Sequence, residues 1–448
     1  MDFQIPAHIL GLMERLENAG FQAWAVGGCV RDRLLGLEPH DWDLCTDATP
    51  PETSEVFRDF PQYHAGEKHG TVAVIVNHEA VEITTFRSEG DYRDHRHPGW
   101  VAFQKDVKED LARRDFTVNA MAYRPGYGLA DPFGGQLDLQ NKILRAVGEP
   151  ERRFREDGLR ILRGVRFSAR FDLVPEPETL KAMELLAPTI KEQARERVFS
   201  ELCGYLPKAK AKDLLCFQNI LKEAIPELGP LMGFCQHNYH HKFDVYTHTA
   251  LVVEGTPPDL TLRWAALLHD VGKPGKFTMD EKGVGHFKGH AALGAQMADK
   301  ILQNLRAPNA LREDVVQLIA YHGATRDLGR LPMDKPVRRL LRKLGEPGVR
   351  NLLALDRADD QGKGTPHEPE PFAAFEERLN RILAEVPCTS LRDLAIGGKD
   401  LMELGIPRGP MLGKILNKLL DRVSDGDLPN KKEILCRAAQ DMAKEENP

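Results

Sequence analysis

Two aspartates one residue apart, Asp41 and Asp43, follow a glycine pair that opens the segment Gly27-Gly28-Cys29-Val30-Arg31-Asp32. In an extended strand alternate side chains share a face, so this spacing puts both carboxylates on one side. Carboxylates that close repel each other unless something positive lies between them. Mg2+ takes hard oxygen ligands, often one or two carboxylates together with substrate phosphates. A glycine turn before a helix start offers backbone N–H groups that a phosphate can approach. These residue types therefore serve metal-dependent phosphoryl or nucleotidyl transfer. An isolated D-x-D is more often a surface turn, but the glycine pair and Arg31 upstream weigh against that.

Further signals lie in order behind the pair. Gly66-Glu67-Lys68-His69-Gly70-Thr71 leads into the apolar run Val72–Val76, and Glu82 sits in the next alternating segment, where an acid on an adjacent strand completes a metal site or simply faces solvent. The run from Glu89 to Pro98 is too charged to pack and reads as a loop whose Asp94 and Arg96 gate the site. Arg113-Arg114-Asp115-Phe116-Thr117-Val118-Asn119-Ala120 supplies two cations for a triphosphate and polar groups for a ribose. From Arg145 to Arg170 there are eight arginines, no lysine and four acids. Arg160, Arg163, Arg166 and Arg170 recur at helical spacing and line one side of a helix. A solvated face usually mixes in lysine and glutamate, whereas arginine alone favours bidentate bonds to phosphate or base edges.

The elements that must position these groups follow from periodicity. Residues 7–20 read as a helix with Ile9, Leu10, Met13 and Leu16 on one face and a stop at Gly20. Short strands are expected at 22–26, 42–45, 70–76, 80–86 and 100–104, with a hairpin turn at Asn77-His78-Glu79-Ala80. Helical patterns dominate from 107, interrupted by a Gly/Pro cluster at 124–135, and no strand is expected after about residue 150. The fold class is thus α+β, a head with a small mixed sheet followed by helical modules. A length of 448 residues suggests about three domains. The composition is that of a soluble globular chain, 42% hydrophobic and 29% charged, without an apolar run long enough to span a bilayer. The N-terminus lacks a signal-peptide layout, and seven scattered cysteines without a C-x-x-C pair point to reduced thiols, so a cytoplasmic setting and no membrane partner are expected. The net charge of −6 does not suggest a nucleic-acid binder, but binding surfaces are often local stripes, and the arginine run is one.

Taken in register, these motifs resemble the class II tRNA nucleotidyltransferases, the CCA-adding enzymes of bacteria and eukaryotes. The resemblance rests on Gly27-Gly28-x-Val30-Arg31-Asp32 with Asp41-x-Asp43, then Arg114-Asp115-Phe116-Thr117-x-Asn119-Ala120. It continues through Asp131-Pro132-Phe133-Gly134-Gly135 with Asp138-Leu139, Glu156-Asp157-Gly158-Leu159-Arg160 and Arg195-Glu196-Arg197. It implies addition of cytidine, cytidine and adenosine to the 3′ end of tRNA from CTP and ATP, with protein side chains choosing the base. Asp41 and Asp43 would hold Mg2+, with Glu82 a further candidate. Gly28, Arg31 and Arg114 would hold the triphosphate. Asp115, Asn119, Arg163 and Arg166 would line the nucleotide site. Asp157 and Arg160, neighbours at i and i+3 on a helix, would offer acceptors and donors in one plane to the Watson–Crick edge. An i,i+3 surface salt bridge would also explain that spacing alone.

Half of the 16 histidines lie between His237 and His322. His248, the adjacent His269-Asp270, His290, His322 and Asp359 resemble the HD superfamily of metal-dependent phosphohydrolases. The resemblance implies a divalent transition metal such as Mn2+ or Ni2+ at one end of a helical bundle, and a secondary phosphohydrolase acting on phosphorylated 3′ ends. Expected domains are a head at 1–145, a helical neck at 146–206, an HD body at 207–365 and, beyond a linker at 361–371, a helical tRNA-binding tail at 370–448. In that tail, residues 397–412 read as helix, Gly/Pro turn and new helix start. Rival readings are an A-adding enzyme, a bacterial poly(A) polymerase sharing the head, or an HD phosphohydrolase with a non-catalytic nucleotide-binding head.

Overall fold

The computed structural model describes residues 3–90, 100–384 and 390–446. The chain divides into two units, Met1–Pro226 and Glu227–Pro448, each packed mainly on itself. Residues 207–226, grouped with the body on sequence grounds, therefore belong with the first unit.

The first unit is built on short strands: β1 (Ala23–Val26), β2 (Leu44–Thr46), β3 (Gln62–Tyr63), β4 (Thr71–Val76), β5 (Glu79–Thr85), β6 (Arg87–Glu89), β7 (Val101–Phe103), β8 (Ala122–Arg124) and β9 (Gly128–Ala130). Seven of them form one sheet in the order β3-β4-β5-β2-β1-β8-β9. Its ladders are antiparallel except for the parallel pair β2–β5. The β4–β5 hairpin turns on Asn77 and His78, with φ of 50° and 68°. Two successive left-handed residues match the right-handed twist of the flanking strands. The Ala7–Asn18 helix buries Ile9, Leu12, Met13 and Leu16 in a core shared with Ala25, Leu44, Val72, Val74 and Ile83.

The sheet is wider than the sequence reading made it. The Gly/Pro cluster at 124–135 holds a hairpin, β8–β9, that extends the sheet beside β1. Strands of three residues carry too little periodicity to read; pairing with β1 creates this edge. Strand pairing also continues beyond residue 150, contrary to expectation. Ile143–Leu144 pairs with Val174–Pro175 in parallel, and Thr278–Met279 with Gly285–His286 in antiparallel. These two-residue ladders are likewise below any sequence period. The β6–β7 hairpin flanks the charged run, but Asp94 and Arg96 lie outside the described residues.

Helices Pro150–Glu156, Leu159–Phe171, Pro177–Leu186 and Arg195–Tyr205 follow the sheet in the first unit. The second unit is mainly helical. Val245–Gly255, Leu260–Leu268, His290–Asn304, Asn309–Tyr321, Ala324–Gly329 and Lys335–Gly362 surround the histidine-rich region, the last helix interrupted at Gly345. Pro369–Ala384, assigned to the tail on sequence grounds, packs on Ala324–Gly329 and Lys335–Gly362, with Arg357 bonded to Glu376 and Arg378 to the Leu328 carbonyl. The tail core proper runs from Leu394 to Met442, centred on Leu401, Ile415, Leu419, Leu435 and Ala439. Its helices Gly398–Glu403 and Pro410–Ser424 bracket a Gly/Pro turn as the sequence suggests.

Candidate functional site

Asp41 and Asp43 lie just ahead of β2 rather than within it, yet the alternation persists: both are exposed and Trp42 between them is buried. The β2–β5 register pairs Leu44 with Ile83. One step back along both strands sets Asp43 beside Glu82, so parallel pairing brings the third acid to the first two. Asp43 is open on one side, yet the protein crowding its other sides desolvates it and raises its pKa to about 6. Arg114 opposes that rise, whereas Glu82 and Asp41 add to it. A cluster of oxygen donors only partly offset by Arg114 is the set that a hard divalent ion suits.

Gly27, not Gly28, is the glycine this turn cannot replace. Its φ is 76°, and a Cβ there would come within 2.6 Å of Arg114 Nη1. The guanidinium thus lies directly against the turn. Arg114 donates to Asp110 at 3.3 Å, while its buried Nε has no hydrogen-bond partner among the described residues. A buried donor left unmatched costs about 1–3 kcal/mol, which a bound phosphate oxygen would relieve. Arg31 is placed differently from the sequence expectation. It is buried, bonded to Asp32 and to Asn119 Oδ1, and stacked 4.2 Å from the Phe171 ring centroid.

Asn119 in turn donates to Asp115 at 3.1 Å, and Asp115 accepts from Arg163 Nε at 2.7 Å. Burial works against ionising Asp115, but Arg163 and Asn119 prevail and hold its carboxyl well below the usual range. A continuous chain therefore runs from Arg163 on the Leu159–Phe171 helix through Asp115 and Asn119 to Arg31 and Asp32. Arg170, two turns beyond Arg163, approaches Asp32 at 4.0 Å and closes it.

The four arginines do share the Leu159–Phe171 helix, but their charges are spoken for. Arg160 pairs with Glu156, Arg163 with Asp115, Arg166 with Glu201 and Arg170 with Asp32. The expected i,i+3 relation of Asp157 and Arg160 needs correction. Asp157 is extended, with φ −146° and ψ 108°, in the break between two helices, so it is not a helical neighbour of Arg160. Gly158 follows it, and Asp157 accepts from Leu159 N at 2.9 Å and from Arg197 at 3.2 Å. Arg160 turns back to Glu156 and to the Arg113 carbonyl.

In the second unit the six sequence-predicted groups converge. His248, His269 and Asp359 form one triad and Asp270, His290 and His322 another, with the ligand atoms of each within 4.8 Å of one another. His269 and Asp270 stand in the turn after Leu260–Leu268 rather than on the helix itself. Gly272 lets that turn approach: a Cβ there would lie 2.3 Å from the His290 carbonyl. Nδ1 of His269, His290 and His322 meets the carbonyls of Ala266, Phe287 and Ile319. Nδ1–H donation fixes the tautomer and aims each Nε2 lone pair inward. Asp270 reaches both triads, 3.1 Å from His269 and 3.6 Å from His290. Burial pushes His322 down to about 4 and lowers His290, keeping both imidazoles neutral. His269 goes the other way, burial lowering it but Asp270 raising it further, so its proton must leave when an ion binds; imidazoles with carboxylates fit a divalent transition ion. The cluster opens into a cavity of about 590 Å3 whose lining includes Lys273, Lys288, Arg326, Arg330 and Lys363.

Sequence reasoning gave no individual role to Glu156, Arg197, Lys273 or Gln236. The motif positions of Glu156 and Arg197 were the available signal. Lys273 is buried between Asp270, at 2.7 Å, and Gln236, at 2.8 Å, a placement no spacing reveals.

Residues 23–145 match the Poly A polymerase head domain, and residues 289–439 match tRNA nucleotidyltransferase domain 2. The CCA-adding enzyme of Levilactobacillus brevis is 32% identical over 440 residues, covering 96% of each chain. That of Geobacillus stearothermophilus is 32% identical over 428 residues, covering 95% of this chain and 94% of its own. The crystal structure of Bacillus stearothermophilus CCA-adding enzyme in complex with CTP matches with a TM-score of 0.73 and 28% identity, over 98% of both chains. Thermotoga maritima CCA-adding enzyme complexed with tRNA shares the fold, with a TM-score of 0.62 at 20% identity.

Proposed function

Since this chain belongs to the class II tRNA nucleotidyltransferases, the CCA-adding family, we propose that it extends the 3′ end of tRNA by cytidine, cytidine and adenosine from CTP and ATP without a nucleic-acid template. The observation that carries the reading is the Asp41, Asp43 and Glu82 cluster beside Arg114, in a chain aligned almost end to end with CCA-adding enzymes. Divalent ions at these oxygens, Mg2+ by donor hardness, would activate the primer hydroxyl and stabilise the leaving pyrophosphate. Arg114 offers its unmatched Nε to a triphosphate oxygen beside the helix start at Gly28. Arg31 acts first by fixing Asn119, and reaches phosphate itself only by exchanging its bonds to Asp32 and Asn119. Asp157 and Arg160 read the base edge, with Arg197 and Glu156 as the partners they exchange for it. A buried hydrogen-bonding site rejects bases that leave its groups unpaired.

The test is incubation of tRNA ending before CCA with each NTP alone and with all together, products being sized to one nucleotide. Addition of three nucleotides and arrest is the expected result. A long A-tail instead identifies a poly(A) polymerase, and a single A an A-adding enzyme.

A second reading rests on the two triads that share Asp270. They support a metal-dependent phosphohydrolase acting on phosphorylated 3′ ends, with the lysines and arginines of the cavity on the phosphate. Assay of 2′,3′-cyclic AMP with Mn2+ or Ni2+ tests it; no turnover with either metal rejects it.

A further inference from the structure

Asp356 is fully buried on the Lys335–Gly362 helix, one turn before Asp359. Its Oδ1 accepts from Gly323 N at 2.7 Å, and its Oδ2 accepts from Thr325 N at 2.9 Å and Thr325 Oγ1 at 2.6 Å. Both oxygens are thus committed to N–H and O–H donors, so Asp356 is not itself an ion ligand. A buried carboxylate is costly, and Asp359 on the same helix adds repulsion. What the three bonds hold is the turn that leaves His322. Gly323, with φ of 84°, directly follows that histidine, and His322 Nδ1 is tied on its other side to Ile319 O. Residues three apart on a helix share a face, so Asp356 holds the His322 turn on the same side from which Asp359 reaches His248 at 3.0 Å.

We propose that Asp356 is a positioning residue that clamps the Gly323–Thr325 turn and thereby sets His322 in place to complete the Asp270, His290, His322 triad. This role rests on the reading of the two triads as a site for two metal ions. The first triad, His248, His269 and Asp359, does not depend on the clamp. Loss of Asp356 therefore weakens one ion and spares the other. Asp356→Asn keeps shape but turns an amide NH2 toward a donor, opening one side of the clamp. Thr325→Val removes only the hydroxyl bond, and Thr325→Ser keeps it.

The full-length protein, stripped with chelator, is titrated with Mn2+ alone and followed by electron paramagnetic resonance. With Asp41→Asn and Asp43→Asn carried in every sample to remove the head's ions, the otherwise wild-type protein is expected to take two ions and show a spin-coupled signal. In Asp356→Asn the first ion binds as in the wild type, and the second weakens about 10–100-fold, the usual loss when a partner supporting a ligand is removed. The coupled signal then gives way to that of isolated Mn2+. Thr325→Val shifts the second ion in the same direction by less, and Thr325→Ser restores it. Both ions binding Asp356→Asn with wild-type affinity overturns the proposal. If Asp356→Asn fails to melt cooperatively, the Thr325→Val and Thr325→Ser pair decides, and an unchanged second ion in Thr325→Val overturns the role. A wild type that takes one ion or none overturns the two-triad reading beneath it, a result distinct from either.

Discussion

Asp43 has the most to reveal at the level of single residues, because its raised pKa ties metal binding to stability. Its folded value of about 6 lies above the ordinary aspartate value, so the ionised form opposes folding once pH exceeds the unfolded value. In the metal-free protein that cost is absent near pH 3, grows between about 4 and 6, and is fully present at neutral pH. Asp43→Asn is expected to abolish addition of both CTP and ATP while raising the melting temperature in chelator at pH 7.5. Solvent on the open side holds the gain to about 1 kcal/mol, a few degrees. The gain vanishes on acidification to pH 3, and Mg2+ stabilises the wild type but not the variant, both readable by calorimetry. Base choice separates from chemistry at Asp157 and Arg160. Replacing either with alanine is expected to retain some transfer while mixing the products from the four NTPs. If the Asp157→Ala enzyme discriminates as sharply as the wild type, base reading lies elsewhere.

Among elements, the Leu159–Phe171 helix owes most to its distant partners. Its arginine stripe is visible in the sequence because 3.6-residue periodicity alone sets which side chains share a face. Their partners were not visible: Asp115, Asp32 and Glu201 come from distant positions, and only packing brings them within reach. The stripe is less a free phosphate-binding surface than a seam joining this helix to the Gly27-Gly28 segment. Asp115→Asn should therefore lower kcat by more than tenfold, because it loosens Arg163 and Asn119 together. The KM for tRNA should change little. Steady-state kinetics with a tRNA lacking its terminal adenosine checks this, and a change in KM alone would locate Asp115 in RNA binding instead. The break before this helix has a local cause. Gly158 is a poor helix former, and Asp157 caps Leu159 N, ending one helix and starting another where a continuous i,i+3 pair was expected.

For the whole molecule, separate cores imply separable failures. The tail's apolar residues from Leu394 to Met442 form their own cluster. Leu419→Ala, at a fully buried position, is expected to cost the tail about 2–5 kcal/mol. Hydrogen exchange should then rise across residues 394–442, while CTP binding persists; loss of CTP affinity would show that the tail and head unfold as one. His248→Ala should likewise leave CCA addition intact while removing a metal equivalent, read by elemental analysis. By itself the sequence determined the α+β class, the order of the motifs, the family and the six groups of the second cluster. Local period carries the class, and the resemblance of the ordered motifs to known families carries the rest. Only tertiary structure decided that Glu82 stands beside Asp43, that Arg31 is sealed by Asn119, that Arg197 rather than Arg160 holds Asp157, and that Asp356 stands behind His322. Each depends on strand register or helix packing between distant residues, and those are settled when the core closes.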